Sequence, residues 1–498
     1  MIFDQKLTFK SHLQHVVKKG MMAAIALSGI AKSNWGARHK EVRQLFLSAI
    51  ATRTDYAACI WHRPKSDNSS ARSLQNKKLT TVQRHAMKAI TGCYRTTATA
   101  ALEIESDLDP PWLRLQSKAL GSVIRMQTLS EKHPIHSYIR EALRTCTAVI
   151  SHRSVLKNIL QQFPLATGKF ERIEPYIRSP WWSLKAQVII EQDKPSARAH
   201  HDQMEPESRA LAIYTDGSGI DGKIGAAAFT TTQVAHQHLG SNTQFNVYTG
   251  ELTAINLAVD IARHQQANEC NIYTDSQAAI KALVNPKRQS GQQIIKMTLD
   301  NIDTAVTEEG LKLSIHWIPG HQDIAGNEEA DREAKNAART PDLGDKFSHS
   351  PLKSSWKMAI KSLTKSLRKQ RSGGRTAKHL QHILKHPKAR AGQKYYNAAE
   401  TRQIATTLAQ MRTGHCSLNL YLHRFKKAAS PYCLCQYQCE TVHHYILECK
   451  KYKKERSWLQ MKVGWHNMRL GILLGDPKVA NHVAKYIEMT NRTECSQI

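Results

Sequence analysis

Between residues 207 and 340 short β-rich runs alternate with longer helical patterns, and this alternation limits the fold more tightly than any other feature of the chain. The β-rich runs are 211–215, 226–232, 270–274 and 313–318, and helical spacing of apolar residues marks 249–264, 276–284, 292–307 and 327–338. Such an order calls for a sheet covered by helices, an α/β domain. The residues before it repeat apolar positions at helical spacing through 12–30, 40–59, 79–92 and 113–129, so a helical N-terminal segment is expected. After it a basic helical stretch, 353–369, is interrupted at Gly373-Gly374. Polar residues with Pro195 and Pro206 bound the middle on one side, and the breaker cluster Thr340-Pro341-Asp342-Leu343-Gly344 on the other. The expected organisation is multidomain: a helical segment 1–190, a linker 191–206, an α/β domain 207–340, a basic linker with helices 341–390 and a basic helical region 391–498.

The 498 residues and 41% hydrophobic content suit two to four domains and exclude wholesale disorder. Net charge is +30, spread unevenly: residues 1–206 carry +15, residues 207–340 carry −5 and residues 341–498 carry +20. An acidic module between two basic ones points to a polyanionic partner, nucleic acid before an anionic membrane face. The longest apolar stretch, 21–31, is too short to cross a bilayer and too late for a secretory signal, so a soluble intracellular protein of nucleus or cytoplasm is expected. Four of the ten cysteines fall between Cys433 and Cys449, which in a reduced compartment favours a metal site over disulfides.

Four carboxylates stand out in the acidic module. Asp216 ends the run Ala212-Ile213-Tyr214-Thr215 and precedes Gly217-Ser218-Gly219, expected to be a turn that lets a substrate approach bare backbone. Glu251 lies in the first turn of a helix, Asp275 ends Asn271-Ile272-Tyr273-Thr274 ahead of a Ser276 N-cap, and Asp331 lies in the last helix. Singly, each reads as a cap, a helix-dipole partner or solvated surface. Converged, the four would repel unless cations neutralised them, and hard oxygen ligands suit Mg²⁺. Two such ions about 3.5–4 Å apart activate a water and stabilise the leaving oxygen of a phosphodiester.

The blocks Ile213-Tyr214-Thr215-Asp216-Gly217-Ser218, Gly250-Glu251-Leu252-Thr253-Ala254, Ile272-Tyr273-Thr274-Asp275-Ser276-Gln277 and Trp317-Ile318-Pro319-Gly320-His321 with Gly326-Asn327-Glu328-Glu329-Ala330-Asp331 resemble, in order, a type-1 ribonuclease H domain over about 207–340. The resemblance implies a mixed five-stranded sheet and metal-dependent cleavage of the RNA strand of an RNA–DNA hybrid. Asp216, Glu251, Asp275 and Asp331 would then hold two Mg²⁺ ions, with Mn²⁺ as a substitute. His321, ten residues before Asp331, resembles the family's mobile histidine, which assists proton transfer or product release.

The flanks carry further resemblances. In a resemblance to a LINE-type (non-LTR) retrotransposon reverse transcriptase of the fungal kind, residues 3–12 look like the block that follows the palm, and Val82-Gln83-Arg84-His85-Ala86-Met87-Lys88-Ala89-Ile90-Thr91-Gly92 and Arg95-Thr96-Thr97-Ala98-Thr99-Ala100-Ala101-Leu102 like later thumb-region blocks. No Asp-Asp pair occurs, and fingers and palm are missing, so polymerase activity is not expected. Cys433, Cys435, His444 and Cys449 offer four ligands to one structural Zn²⁺, with Cys439 and His443 as rivals. They resemble the CCHC element, here about 430–452, that ends many such polyproteins. The following Lys450-Lys451-Tyr452-Lys453-Lys454-Glu455-Arg456 suits phosphate contact, a nuclear import signal or a solvated helix face. The expected function is a ribonuclease of RNA–DNA hybrids whose basic flanks hold nucleic acid; the alternative is a catalytically idle nucleic-acid-binding remnant.

Overall fold

The computed structural model describes residues 1–63, 70–144, 169–174, 179–207, 209–320, 322–341, 350–372, 378–385 and 392–492. His321 and the Gly373-Gly374 break lie outside them. The chain divides into two compact units, one of residues 120–362 and one of residues 1–119 with 363–498. Among the described residues no helix is long and apolar enough to cross a membrane.

In the unit 120–362 the β-rich runs pair into one mixed sheet of β1 (Gln187–Ile189), β2 (Leu211–Ile220), β3 (Lys223–Phe229), β4 (Val234–Ser241), β5 (Glu269–Thr274) and β6 (Lys312–Trp317). Their spatial order is β1-β6-β5-β2-β3-β4, parallel from β1 to β2 and antiparallel from β2 to β4. The sheet thus has six strands, not five. The additional edge strand β1 is three residues long, too short to show an alternation, and exists because β6 offers it a parallel partner. The stretch 191–206, expected as a linker, is largely helix α1 (Lys194–Glu207). Buried Glu171 extends this unit beyond the expected bounds, since its carboxylate accepts the backbone N–H of Gly291 at 2.7 Å and of Lys353 at 2.6 Å.

Four further helices pack here: α2 (Val247–His264), α3 (Gln277–Val284), α4 (Gln292–Thr307) and α5 (Ala325–Arg339). Asn246 starts α2 with a capping box, its side chain accepting the Thr249 N–H at 3.0 Å. Strand residues Ile213, Ile272 and Ile315 meet Leu252, Ile255 and Val259 of α2 and Leu299 and Ile302 of α4 in a fully buried core. Fully burying one such side chain contributes roughly 1.5–3 kcal/mol, so this core carries most of the unit's stability.

The other unit is helical. Lys10–Ile30, Ser70–Thr91 and Thr99–Glu105 share one core with Arg402–Thr413, Lys453–Val463 and Ala480–Thr490, in which Phe46, Met87 and Leu102 join Leu408, Met411, Tyr445 and Leu473. The first and last segments of the chain, expected as separate domains, therefore fold as one body. Helix Arg402–Thr413 is buried on every side, begins at its Thr401 cap and ends at Gly414 in the left-handed region (φ 74°).

Candidate active site and metal-binding clusters

Asp216 lies in mid-strand rather than at a strand end. Parallel pairing of β2 with β5 stops at Thr215 opposite Thr274, while antiparallel pairing with β3 continues to Ile220. The expected turn Gly217-Ser218-Gly219 is strand, and its glycine serves packing: a Cβ on Gly217 would sit 2.2 Å from the backbone nitrogen of Glu251. The bare backbone at Gly217 lets the start of α2 rest on β2, which brings Glu251 beside Asp216. Asp275 follows the end of β5, where the Trp317 indole N–H donates to its carbonyl at 3.1 Å. The loop after β6 presses against it, since a Cβ on Gly320 would meet its Oδ2 at 2.3 Å.

One oxygen from each of Asp216, Glu251 and Asp275 lies within 4.8 Å of the other two. Asp331 of α5 pairs with Lys335 one turn on and faces the same cleft of about 350 Å³, outside the tight triad. Burial, then the charges of Asp275 and Asp331, push the Asp216 carboxyl up to about 7 despite the opposing Lys335. Burial and then Asp216 and Asp275 hold Glu251 well above the usual carboxylate range. Glu251 Oε2 and the Oδ1 of Asn327, which also lines the cleft, are buried without a hydrogen-bond partner among the described residues. Crowded acceptors lacking donors are what a hard divalent cation relieves, so the residues fit such an ion. Sequence reasoning gave Asn327 and Lys335 no role; the i,i+4 spacing of Asp331 and Lys335 was the available signal.

Residues 208–339 match the RNase H family. The match takes in β2 to β6, α2 to α5 and all four carboxylates. The chain is also similar to the crystal structure of RNase H1 from the halophilic archaeon Halobacterium salinarum NRC-1, with 18% identity over 26% of this chain and 96% of that one, at a TM-score of 0.20. The helical N-terminal region and the central RNase H-like domain thus stand as expected, the sheet with one strand more.

Outside the RNase H-like domain a second group of ligand atoms converges, from Cys433, Cys435, His444 and Cys449, all within 4.8 Å of one another. A tight loop between Tyr432 and Cys439, which form an antiparallel bridge, supplies the first two thiols, and Gln436 in the left-handed region (φ 62°) closes it. The Sγ atoms of Cys433 and Cys449 are 3.5 Å apart, and Cys435 Sγ lies 3.2 Å from His444 Nε2. Of the rivals, His443 turns to Glu448 at 3.2 Å and Cys439 is not in the cluster. Burial opposes ionisation of Cys435, but hydrogen bonds from Tyr437, Cys433 and His444 outweigh it and bring the thiol down to about 6, in the range of thiols ready to ligate metal.

Proposed function

We propose that the protein hydrolyses the RNA strand of RNA–DNA hybrids, with Asp216, Glu251, Asp275 and Asp331 holding two Mg²⁺ ions, in a chain derived from a LINE-type retrotransposon. The observation that carries this reading is the converged triad of carboxylates, Asp216 and Glu251 buried and Asp275 half-buried, with an unpartnered Glu251 oxygen, inside a stretch that matches the RNase H family. When bound, the ions supply a nucleophilic water at neutral pH and neutralise charge on the leaving oxygen. The chain's residues do the rest. Asp216 and Glu251 are held by β2 and α2 at fixed separation, and Asp275 is buttressed by Trp317 and Gly320. Asn327 offers one more oxygen, and Lys335 neutralises Asp331. His321, between β6 and α5 in the sequence, assists proton transfer or product release. Water attack leaves a 5′-phosphate and a 3′-hydroxyl.

The two basic segments, at +15 and +20, supply the charge that holds the hybrid, and Cys433, Cys435, His444 and Cys449 bind one structural Zn²⁺. The test is a labelled RNA–DNA hybrid incubated with the full chain and Mg²⁺ beside an Asp216→Asn control. Cutting of the RNA strand by the wild type alone is expected. Hybrid binding without metal-dependent cutting, or equal cutting by the control, refutes the reading.

A further inference from the structure

The helical unit contains a cleft of about 720 Å³, within the roughly 300–1,000 Å³ of pockets that enclose ligands. Residues 92–96 form one wall and helix Arg402–Thr413 with the turn after Asn419–His423 the others. Three rings cluster at its side. Tyr94 and Tyr421 stack with centroids 5.7 Å apart and planes 13° off parallel, and Phe425 lies 5.2 Å from Tyr421 with its plane tilted by 52°. Hydroxyl contact with Thr96 holds the Tyr421 ring, while Phe425 remains 47% exposed. Two cations line the cleft, Arg95 and Lys427, both exposed, and no Asp or Glu does so among the described residues. On the floor, Thr406 is 3% exposed and its hydroxyl has no hydrogen-bond partner among the described residues.

We infer that this cleft binds a single-stranded segment of nucleic acid, one base stacking on Phe425 and the backbone running past Arg95 and Lys427. Each feature finds a use in that ligand. An exposed ring backed by a packed aromatic cluster is a platform for any base, because every base has a π-face. Exposed cations with no Asp or Glu lining the same cleft among the described residues select an anion. The buried Thr406 hydroxyl is a donor and acceptor awaiting a base edge or a sugar oxygen. The exposed turn His423-Arg424-Phe425-Lys426-Lys427 carries the positive charge beyond the cleft, which suits a strand rather than a free nucleotide. This site lies outside the acidic cleft and needs none of its chemistry.

The experiment is fluorescence anisotropy with the full chain and fluorescein-labelled oligothymidylate or oligouridylate of 12 nucleotides. Phe425→Ala should weaken binding about ten-fold, the scale of losing one stacked base. Arg95→Gln with Lys427→Gln should lower the slope of log affinity against log salt by about 1.4, two single-strand phosphate contacts. Asp216→Asn should bind the strands as tightly as wild type, which separates this site from the hydrolytic one. Unchanged affinity in Phe425→Ala, loss of strand binding in Asp216→Asn, or equal competition by thymidine monophosphate or polyglutamate would each overturn the inference. If Phe425→Ala misfolds by circular dichroism, Lys427→Glu, on an exposed side chain, must weaken binding instead.

Discussion

Two of the clusters that bury carboxylates among the described residues differ in whether a protein cation sits directly on them. In the helical unit Glu105 and Arg412 are both wholly inaccessible, and the guanidinium donates to both carboxylate oxygens at 2.9 and 3.1 Å. Tyr396 and the carbonyl of Leu474 complete the set. Burial raises the Glu105 carboxyl and Arg412 pulls it back. In the RNase H-like domain Asp216, Glu251 and Asp275 crowd together, and the nearby Lys335 is taken by Asp331. The first arrangement is closed, so its charges serve only to join chain segments. The second is left acidic inside a protein of net charge +30, with the carboxyls raised by burial and by one another.

Glu251→Gln breaks the open cluster and should lower hybrid cleavage about a thousand-fold, the several kcal/mol that charge stabilisation at the phosphate supplies, as measured by single-turnover kinetics. Arg412→Met breaks the closed one. It leaves Glu105 buried alone and should destabilise the helical unit by about 3–5 kcal/mol in urea unfolding, whereas adding Glu105→Gln should return much of that loss.

Asp216→Asn sharpens the contrast through pH. The folded metal-free protein keeps the Asp216 proton up to about 7, whereas the unfolded chain releases it near the usual carboxylate range. Folding therefore costs more as pH rises between these values, and the substitution should stabilise the metal-free protein more at pH 8 than at pH 5. Cys449→Ser should lower zinc measured by elemental analysis from about one per chain to near none. The smallest effect belongs to Asp55. Burial raises its carboxyl, but Arg114 and Lys118 outweigh that and hold it below the ordinary range. Its stabilisation is present above the unfolded value and lost as pH falls through the folded one, so Asp55→Asn should flatten the acid limb of the stability profile below about pH 4.

Much of the acidic domain was legible because its signals are short. The β-rich run at 270–274 and the helix at 292–307 fold where periodicity put them. The position of Asp216 was not legible. A strand followed by Gly-Ser-Gly reads locally as a strand and a turn, and only the antiparallel partner β3 keeps residues 217–220 extended. Likewise, β1 has no pattern of its own and is defined by β6. In the Cys/His element the spacing left His443 and His444 as rivals. The turn His444–Glu448 brings His444 to the thiols and leaves its neighbour to Glu448.

By itself the sequence determined the kinds of element, the carboxylate and thiol sets and the uneven charge, because each is written within a few residues through periodicity, spacing or composition. Tertiary structure alone decided which buried charges find a partner. Glu105 and Arg412 are 307 residues apart, and no local rule pairs them. Their meeting helps join the two ends of the chain into one unit, while the carboxylates gathered at Asp216 crowd one another and are raised in pKa by burial and mutual repulsion.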